Sequence, residues 1–370
     1  MFIKNIKLKN FRNYKNLNAN FSPNINIIYG NNAQGKTNLL ESIYYLSVTK
    51  SHHSFLDNKL VNNEENELFV EGIINKENID TKYTINLNDR KKTLKIDNNV
   101  IKKVGDYISN INIIIFYPDD LDLIKGNPET RRRYLNVELS QLSSKYFDVL
   151  SDYNKLLKIR NDYLKKYVDR IDFDDNYFDI LTDHLIDKSI FIYKMRKKFV
   201  EKINTYCKEI SLKMFSTENF KIKYKTNFND IDFNTENIKN ILKEEYKKII
   251  NKEKKYKITL LGPQKDDIEF NLEDKNLKFY GSQGQQRLAV LIFKLSEIEI
   301  FEDYKGTKPI LLLDDVFSEL DSIKKNNLLS YINNNIQTII TTTDLDNLDE
   351  NLINNSNLIK INNGQIEEVK

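Results

Sequence analysis

Gly30-Asn31-Asn32-Ala33-Gln34-Gly35-Lys36-Thr37 sets two glycines, a lysine and a hydroxyl at the spacing of a phosphate-binding loop, and Asn38 follows them into the next element. Glycine lets backbone N–H groups approach an anion closely. A lysine at this position reaches the β- and γ-oxygens of a nucleotide, and the Thr37 hydroxyl ligates Mg²⁺. Such a loop needs a second acid for its metal and its water. Pro309-Ile310-Leu311-Leu312-Leu313 ends in Asp314-Asp315, so Asp314 is the expected Mg²⁺ ligand. Asp315, one position on, is the expected catalytic group together with Lys36, because it can position or deprotonate an attacking water. The plainer alternatives are a glycine turn before an ordinary helix and a strand-end aspartate pair capping the next one. Gly281-Ser282-Gln283-Gly284-Gln285-Gln286-Arg287 is a third candidate: Ser282, Gly284 and Gln285 open a helix whose dipole and N–H groups are aimed at an anion. In isolation a Ser-x-Gly-Gln is an ordinary helix cap. Its place between the distant glycine loop and the nearby Asp314-Asp315 strand gives it its meaning.

The elements that must hold these residues follow from hydrophobic period. Strands are expected at Phe2 to Leu8 and Ile25 to Tyr29, and a helix at about Lys36 to Val48 with Leu39, Leu40, Ile43 and Leu46 on one face. The glycine loop thus lies between a strand and a helix, the context that a phosphate loop requires. Leu68 to Ile74, Tyr83 to Leu87 and Thr93 to Ile96 alternate as an antiparallel layer, and Ile111 to Phe116 reads as a buried strand. From Pro128 to about Met214 the texture is helical. Two strand candidates, Asp267 to Leu272 and Leu277 to Tyr280, lead into a helix from about Gly284 to Phe301. A strand at Pro309 to Leu313, a helix near Asp321 to Ile332 and strands at Ile336 to Thr341 and Leu358 to Ile361 complete the pattern. The expected architecture is α/β: one P-loop ATPase domain split over residues 1–117 and 255–370, with a mainly helical lobe inserted at 118–254.

The Gly281 to Arg287 stretch resembles the signature motif of ABC-type ATPase heads, and Ser318-Glu319-Leu320-Asp321 resembles their dimer-contacting D-loop. In such heads the signature serine of one copy meets the γ-phosphate held by the other. Leu8-Lys9-Asn10-Phe11-Arg12-Asn13-Tyr14, Asn38-Leu39-Leu40-Glu41-Ser42-Ile43 and the stretch from Lys125 to Leu135 extend the likeness. Over essentially its whole length the chain resembles the RecF family of SMC-related DNA-repair ATPases. The resemblance implies an ABC-type head, ATP and Mg²⁺ as cofactors, and an ATP-dependent homodimer with slow hydrolysis. It also implies cytoplasmic action on DNA at single-strand gaps, with RecR and RecO as partners in placing RecA recombinase. Arg12 and Asn13 would lie near the nucleotide, and an aspartate at position 315 is as the family has it. Gln264-Lys265 stand where the family has His and Arg, so no role of those side chains carries over. No glutamine occurs between Gln34 and Gln141, so Tyr117-Pro118-Asp119-Asp120 takes the place of the Q-loop. Thr342 or Asp344 takes that of the switch histidine.

Composition narrows the field. Among 370 residues, 30% are charged and the net charge is +3, too mild for a nucleic-acid binder on global charge, so any DNA surface must be local. The basic clusters are Arg131 to Arg133, Lys158 with Arg160, Lys165-Lys166, Lys194 with Arg196 to Lys198, and Lys252 to Lys257; the plain alternative for each is a solvated helix face. No apolar run approaches the length of a membrane span, and Cys207 alone excludes a disulfide framework or a zinc hook. A transporter ATPase would share the motifs but not the long lobe. A coiled-coil clamp needs sustained heptads that residues 128–214 lack. An ATP-gated binding module with negligible turnover stays open.

Overall fold

Strands that are apolar on both faces must be covered on both; Ile113–Phe116 is of that kind along its whole length, and Ile310–Asp314 over its first four residues. The computed structural model describes residues 1–51, 57–62, 65–89, 91–168, 173–215, 220–228, 231–332, 336–346 and 348–369. The chain opens with β1 (Phe2–Phe11), β2 (Tyr14–Asn20), β3 (Ile25–Tyr29), α1 (Lys36–Val48), β4 (Glu67–Lys76) and β5 (Ile79–Asn88). It continues through β6 (Lys91–Ile96), β7 (Asn99–Val100), α2 (Val104–Ile108) and β8 (Ile113–Phe116). A mainly helical passage follows: α3 (Asp122–Lys125), α4 (Pro128–Leu142), α5 (Ser144–Tyr167), α6 (Asp175–Phe215), β9 (Phe220–Lys225) and α7 (Ile238–Tyr256). Then come β10 (Asp267–Leu272), β11 (Lys275–Asn276), α8 (Leu277–Tyr280) and α9 (Gln283–Lys305). The last stretch holds β12 (Ile310–Asp314), α10 (Ser322–Ile332), β13 (Thr338–Thr342), α11 (Glu350–Asn354), β14 (Asn357–Asn362) and β15 (Gln365–Val369).

The chain divides into two compact units. One comprises Met1–Asp120, Leu212–Ser216 and Leu291–Lys370; the other comprises Leu121–Ser211 and Thr217–Val290. The second unit therefore runs past the return at residue 255 expected from the sequence. The reason is β-pairing: β10 is bonded to β9 and β11 in a sheet of its own.

The first unit holds two six-stranded sheets. One, in the order β2-β1-β4-β5-β6-β7, is antiparallel throughout. In the other, β15-β14-β3-β13-β12-β8, all neighbours are parallel except β15 with β14. Helix α1 packs against strands of both sheets, burying Leu39, Leu40, Ile43 and Leu46. Gly72 on β4 makes room for it, since a Cβ there would stand 2.3 Å from Leu46 Cδ2. The side-by-side parallel order β3-β13-β12 brings the loops after those strands to one edge, where ligands of open α/β sheets bind.

In the second unit, helix starts follow their caps. Asn127 accepts from the Thr130 N–H ahead of Pro128, and Ser143 accepts from the Tyr146 N–H. Leu277–Tyr280, expected as a strand, is a single helical turn. Asn276 caps it by accepting from the Lys278 N–H, and Leu277 alone is buried. A four-residue run does not carry enough period to separate the two states. Strands β2, β9 and β15 and helix α7 were not read from the sequence. In β2 and α7 frequent Asn and Lys thin out the apolar pattern.

Candidate functional site

The loop after β3 takes a shape that needs its glycines. Gly30 has φ +148° and an added Cβ would meet the Ile361 carbonyl oxygen at 2.3 Å; Gly35 has φ +114° and its Cβ would meet Asn13 Nδ2 at 2.6 Å. Ala33, between them, is also left-handed, at φ 62°. Lys36 curls back over the loop and its Nζ donates to the carbonyls of Gly30 (2.6 Å) and Asn31 (2.8 Å). Burial holds the Lys36 ammonium below the usual lysine range, while Asp315 and Asp314 pull the other way. Gly35, the residue ahead of α1, supplies no side-chain cap to the first-turn N–H groups of this thirteen-residue helix. That is the donor set an anionic phosphate group fits.

Beneath the loop, the Thr37 hydroxyl donates to Asp314 Oδ1 at 3.0 Å, and the Thr341 hydroxyl donates to the same oxygen at 2.7 Å. Thr341 also accepts from the Asp315 N–H at 3.0 Å. Asp315 is left-handed, at φ 51°, an uncommon conformation that aspartate tolerates better than most residues and that concentrates at functional sites. Lys36, Thr37, Asn38, Asp314, Asp315 and Thr341 are among the residues around a cavity of about 180 Å³. The Thr37 hydroxyl and the Asp314 carboxylate, paired at this cavity, suit a hard divalent cation that keeps several waters. A second cavity, of about 410 Å³, borders Gly30, Asn31 and Gln34 on the other side.

The turn between β1 and β2 is fastened to this loop. Asn13 Nδ2 donates to the Gln34 carbonyl at 3.3 Å, Asn38 Nδ2 donates to Asn13 Oδ1 at 2.8 Å, and the buried Tyr14 hydroxyl donates to the Gly35 carbonyl at 2.9 Å. Arg12 adjoins them but is engaged. Its Nε and Nη2 both lie 2.8 Å from the Glu41 carboxylate, its Nη1 donates to the Lys59 carbonyl at 2.9 Å, and Glu41 also accepts from the Ser51 hydroxyl. Thus residues 30–38, Arg12, Asn13, Asp314 and Asp315 are grouped in the first unit. Sequence reasoning missed Tyr14, Glu41, Ser51 and Thr341. Thr341, and not its neighbour, is the hydroxyl on Asp314; Thr342 donates to the Asp344 carbonyl. Asp120 is buried, with Lys294 Nζ at 2.9 Å, and burial raises its carboxyl despite that partner.

Ser282, Gly284 and Gln285 belong to the second unit, where they open α9. Ser282 Oγ accepts from the Gln285 N–H at 3.3 Å and Gln285 Oε1 accepts from the Ser282 N–H at 2.9 Å, a reciprocal capping box. Gln286 is buried and donates to the Leu277 carbonyl at 2.8 Å. Gly284 is exposed, and apart from its chain neighbours and its own helix backbone nothing among the described residues lies within 4 Å of where its Cβ would stand.

The basic clusters divide. Arg131, Arg160 and Arg196 are not surface charges: they are buried and bonded. Arg131 grips both oxygens of Asp267 (2.6 and 2.9 Å). Arg160 Nη2 lies 2.6 Å from Glu253, and Arg196 Nη1 2.7 Å from Asp266. A guanidinium on a helix is long enough to turn inward when a carboxylate waits there, and sequence clustering carries no sign of it. Lys158, Lys165, Lys166, Lys194, Lys198, Lys252 and Lys255 are exposed. Among the described residues no helix is long and apolar enough to cross a membrane.

Comparison with known proteins agrees with this arrangement. The model of the RecF/RecN/SMC N terminal domain matches residues 2–367. The DNA replication and repair protein RecF of Clostridium botulinum (strain Okra / Type B1) is 39% identical over all of both chains. That of Ligilactobacillus salivarius (strain UCC118) is 36% identical over all of this chain and 98% of its own. The solved structure of the recombination mediator protein RecF-ATP in the RecFOR pathway superposes with a TM-score of 0.91 at 32% identity, covering 100% of this chain and 97% of that one. An Smc head bound to the C-winged helix domain of ScpA shares the fold, with a TM-score of 0.55 at 15% identity, over 100% of this chain and 98% of its own. The chain is an ABC-type α/β ATPase head with an inserted helical lobe, and it belongs to the RecF family of DNA replication and repair proteins.

Proposed function

We propose that this chain binds ATP with Mg²⁺ at the Gly30 to Asn38 loop, dimerises on ATP, and in that closed form holds gapped DNA during recombinational repair. The observation that carries the reading is the convergence of Lys36, the uncapped start of α1 and the Thr37–Asp314 pair on one cavity. Backbone donors of residues 30–38 would take the phosphates, with Lys36 on the outer oxygens, and Thr37 and Asp314 would hold the Mg²⁺ that neutralises phosphate charge. Asp315 would accept the proton of the attacking water. Arg12 and Asn13 stand on the turn fastened to the loop, and the RecF of the superposing structure holds ATP.

The two-copy part of the reading is supported by the start of α9. Glycine in the first turn of a helix forfeits helix propensity, and no neighbour among the described residues requires it at position 284. Phe279 and Tyr280, just ahead of the cap, are 73% and 74% exposed. A face of this kind suits a γ-phosphate and a protein surface supplied by a second copy, with Ser282, Gly284 and Gln285 in the contact. The exposed lysines of the lobe would give sequence-tolerant, salt-sensitive contacts to DNA phosphates. Slow hydrolysis, stimulated by DNA, would serve as the release switch. RecR and RecO would be its partners, a reading supported by the RecFOR pathway named for the superposing RecF, and the cytoplasm its compartment.

The test is affinity for a gapped duplex at fixed moderate salt with ATP, with ADP and without nucleotide, for the wild type and for Ser282→Arg. Tight binding that requires both ATP and Ser282 is the expected result. DNA affinity indifferent to nucleotide and to Ser282 would sink the two-copy clamp.

A further inference from the structure

Strands β14 and β15 are joined by the shortest hairpin connection the pairing allows. Asn362 pairs with Gln365, and the two residues between them, Asn363 (φ 48°) and Gly364 (φ 72°), are both left-handed. An Asn-Gly pair in that conformation is a type I′ turn. The N–H groups of its two central residues have no partner within the hairpin and ordinarily go to water.

Here both go to one residue of the phosphate loop. The Asn363 N–H donates to the side-chain Oε1 of Gln34 at 2.5 Å, and the Gly364 N–H donates to the main-chain carbonyl of Gln34 at 3.1 Å. That carbonyl is also the acceptor for Asn13 Nδ2 from the β1–β2 turn. The fit leaves little slack: a Cβ on Gly364 would stand 3.2 Å from Asn13 Nδ2, and a Cβ on Gly30 would strike the Ile361 carbonyl, at the end of β14. Gln34 is thus the point at which two hairpin turns, far apart in sequence, grip the middle of the loop.

We propose that Gln34 is a positioning residue: its side chain is spent on the β14–β15 turn and not on the ligand, and through that turn it fixes the curvature of the phosphate loop. Its own N–H remains part of the cradle. The inference rests on the nucleotide reading of the site and adds a cause for the loop's shape. A loop held before the ligand arrives gives up less conformational freedom on binding. Loss of the tie therefore weakens ATP and ADP alike, because both place a β-phosphate in the same cradle, and leaves the chemical step alone.

The experiment compares the wild type, Gln34→Met, Gly364→Ala and the double variant, all as full chains. The readouts are Mg·ATP and Mg·ADP affinity by titration, turnover at saturating ATP, and thermal melting to confirm folding. Gln34→Met keeps the side-chain length and removes the acceptor. It is expected to weaken both nucleotides by about fivefold, the worth of one hydrogen bond, with saturating turnover within about twofold. Gly364→Ala, whose Cβ would push the turn off Asn13 and with it both hydrogen bonds to Gln34, is expected to weaken them at least as much, and the double variant no further than Gly364→Ala. Additive losses, or a loss confined to ATP, would mean that the Gln34 side chain meets the nucleotide and would overturn the proposal. An unaffected Gln34→Met would also overturn it. A wild type without nucleotide affinity would remove the reading of the whole site, an outcome distinct from intact wild-type binding with no role for Gln34.

Discussion

Arg12 and Arg196 are both arginines gripped by a carboxylate, yet they belong to regions built on opposite principles. Around Arg12 buried groups (Glu41, Asp314, Thr341) stand beside partly exposed ones (Thr37, Asn38, Asp315), gathered near the ends of parallel strands. Lys36, Thr37, Asp314 and Asp315 face a cavity, and much of their bonding is to loop carbonyls and to one another. Around Arg196 the polar groups are sealed. Its guanidinium donates to Asp266, to the Pro263 carbonyl, to Asn136 and to the Tyr146 hydroxyl, and Tyr224 supplies a further hydroxyl to Asp266. The first arrangement trades stability for readiness to meet an anion. The second spends a charge pair on fixing how α4, α5, α6 and β10 meet within the lobe. Basic residues in a sequence do not reveal which of the two they serve.

The comparison breaks most visibly at Arg196. Arg196→Ala leaves Asp266 buried without its cation, and is expected to lower stability by about 3–5 kcal/mol, read from urea denaturation. A variant as stable as the wild type would show that the network is dispensable. On the other side, Lys36→Met is expected to cost about 100-fold in ATP affinity, the worth of a lost charge-assisted contact, with a melting midpoint within about 2 °C of wild type. A large fall in stability with normal binding would reverse the two assignments.

The pH dependence sharpens the contrast. Burial pushes the Asp266 carboxyl up to about 6, even though Arg196 and Tyr224 hold it down. For an acid raised in the folded state the sign is unusual. Its contribution to stability is fully present below the unfolded value of 3.8 and is lost as pH rises through about 6. Relative to Asp266→Asn, which cannot titrate, the wild type should therefore lose about 2 kcal/mol between pH 4 and 6, measured as urea midpoints at each pH. A difference that stays constant over that window would remove the titration. The smallest effect concerns Gly284. Gly284→Ala is expected to raise the stability of the monomer by up to about 1 kcal/mol while weakening the ATP-bound dimer, seen by sedimentation. A destabilised monomer would mean that the glycine serves its own chain.

What the sequence made legible follows the same division. Glycine, lysine and paired aspartates at fixed spacing report a backbone shape and a charge placement, so the strand–loop–helix order around Gly30, the meeting of Thr37 with Asp314 and the buried face of α1 followed from them. Continuous apolar runs gave β8 and β12 for the reason that parallel strands are buried on both faces. Arg131, Arg160 and Arg196 were misread as surface because a run of basic residues looks the same whether its carboxylate partner is water-exposed or waiting in the core. Thr341, Tyr14 and Glu41 were missed because their roles exist only once strands distant in sequence lie side by side. The short turn Leu277–Tyr280 was misassigned because its Asn276 cap, and not its period, decides it.

The order β14-β3-β13-β12 carries a consequence for synthesis. Ile25 on β3 pairs in register with Thr338 on β13, and Asn26 with Asn357 on β14, so the phosphate-loop strand leaves the ribosome long before either neighbour exists. At ordinary elongation rates the interval is roughly 15–60 s. During it β3, buried from Ile25 to Ile28 in the finished sheet, has no sheet to join, whereas the helical unit from Leu121 onward is translated with almost all of its own partners. The proposed nucleotide site is therefore the last part of the molecule to be assembled, and a chain stopped short of β14 carries every motif quoted for the family without the sheet that holds them.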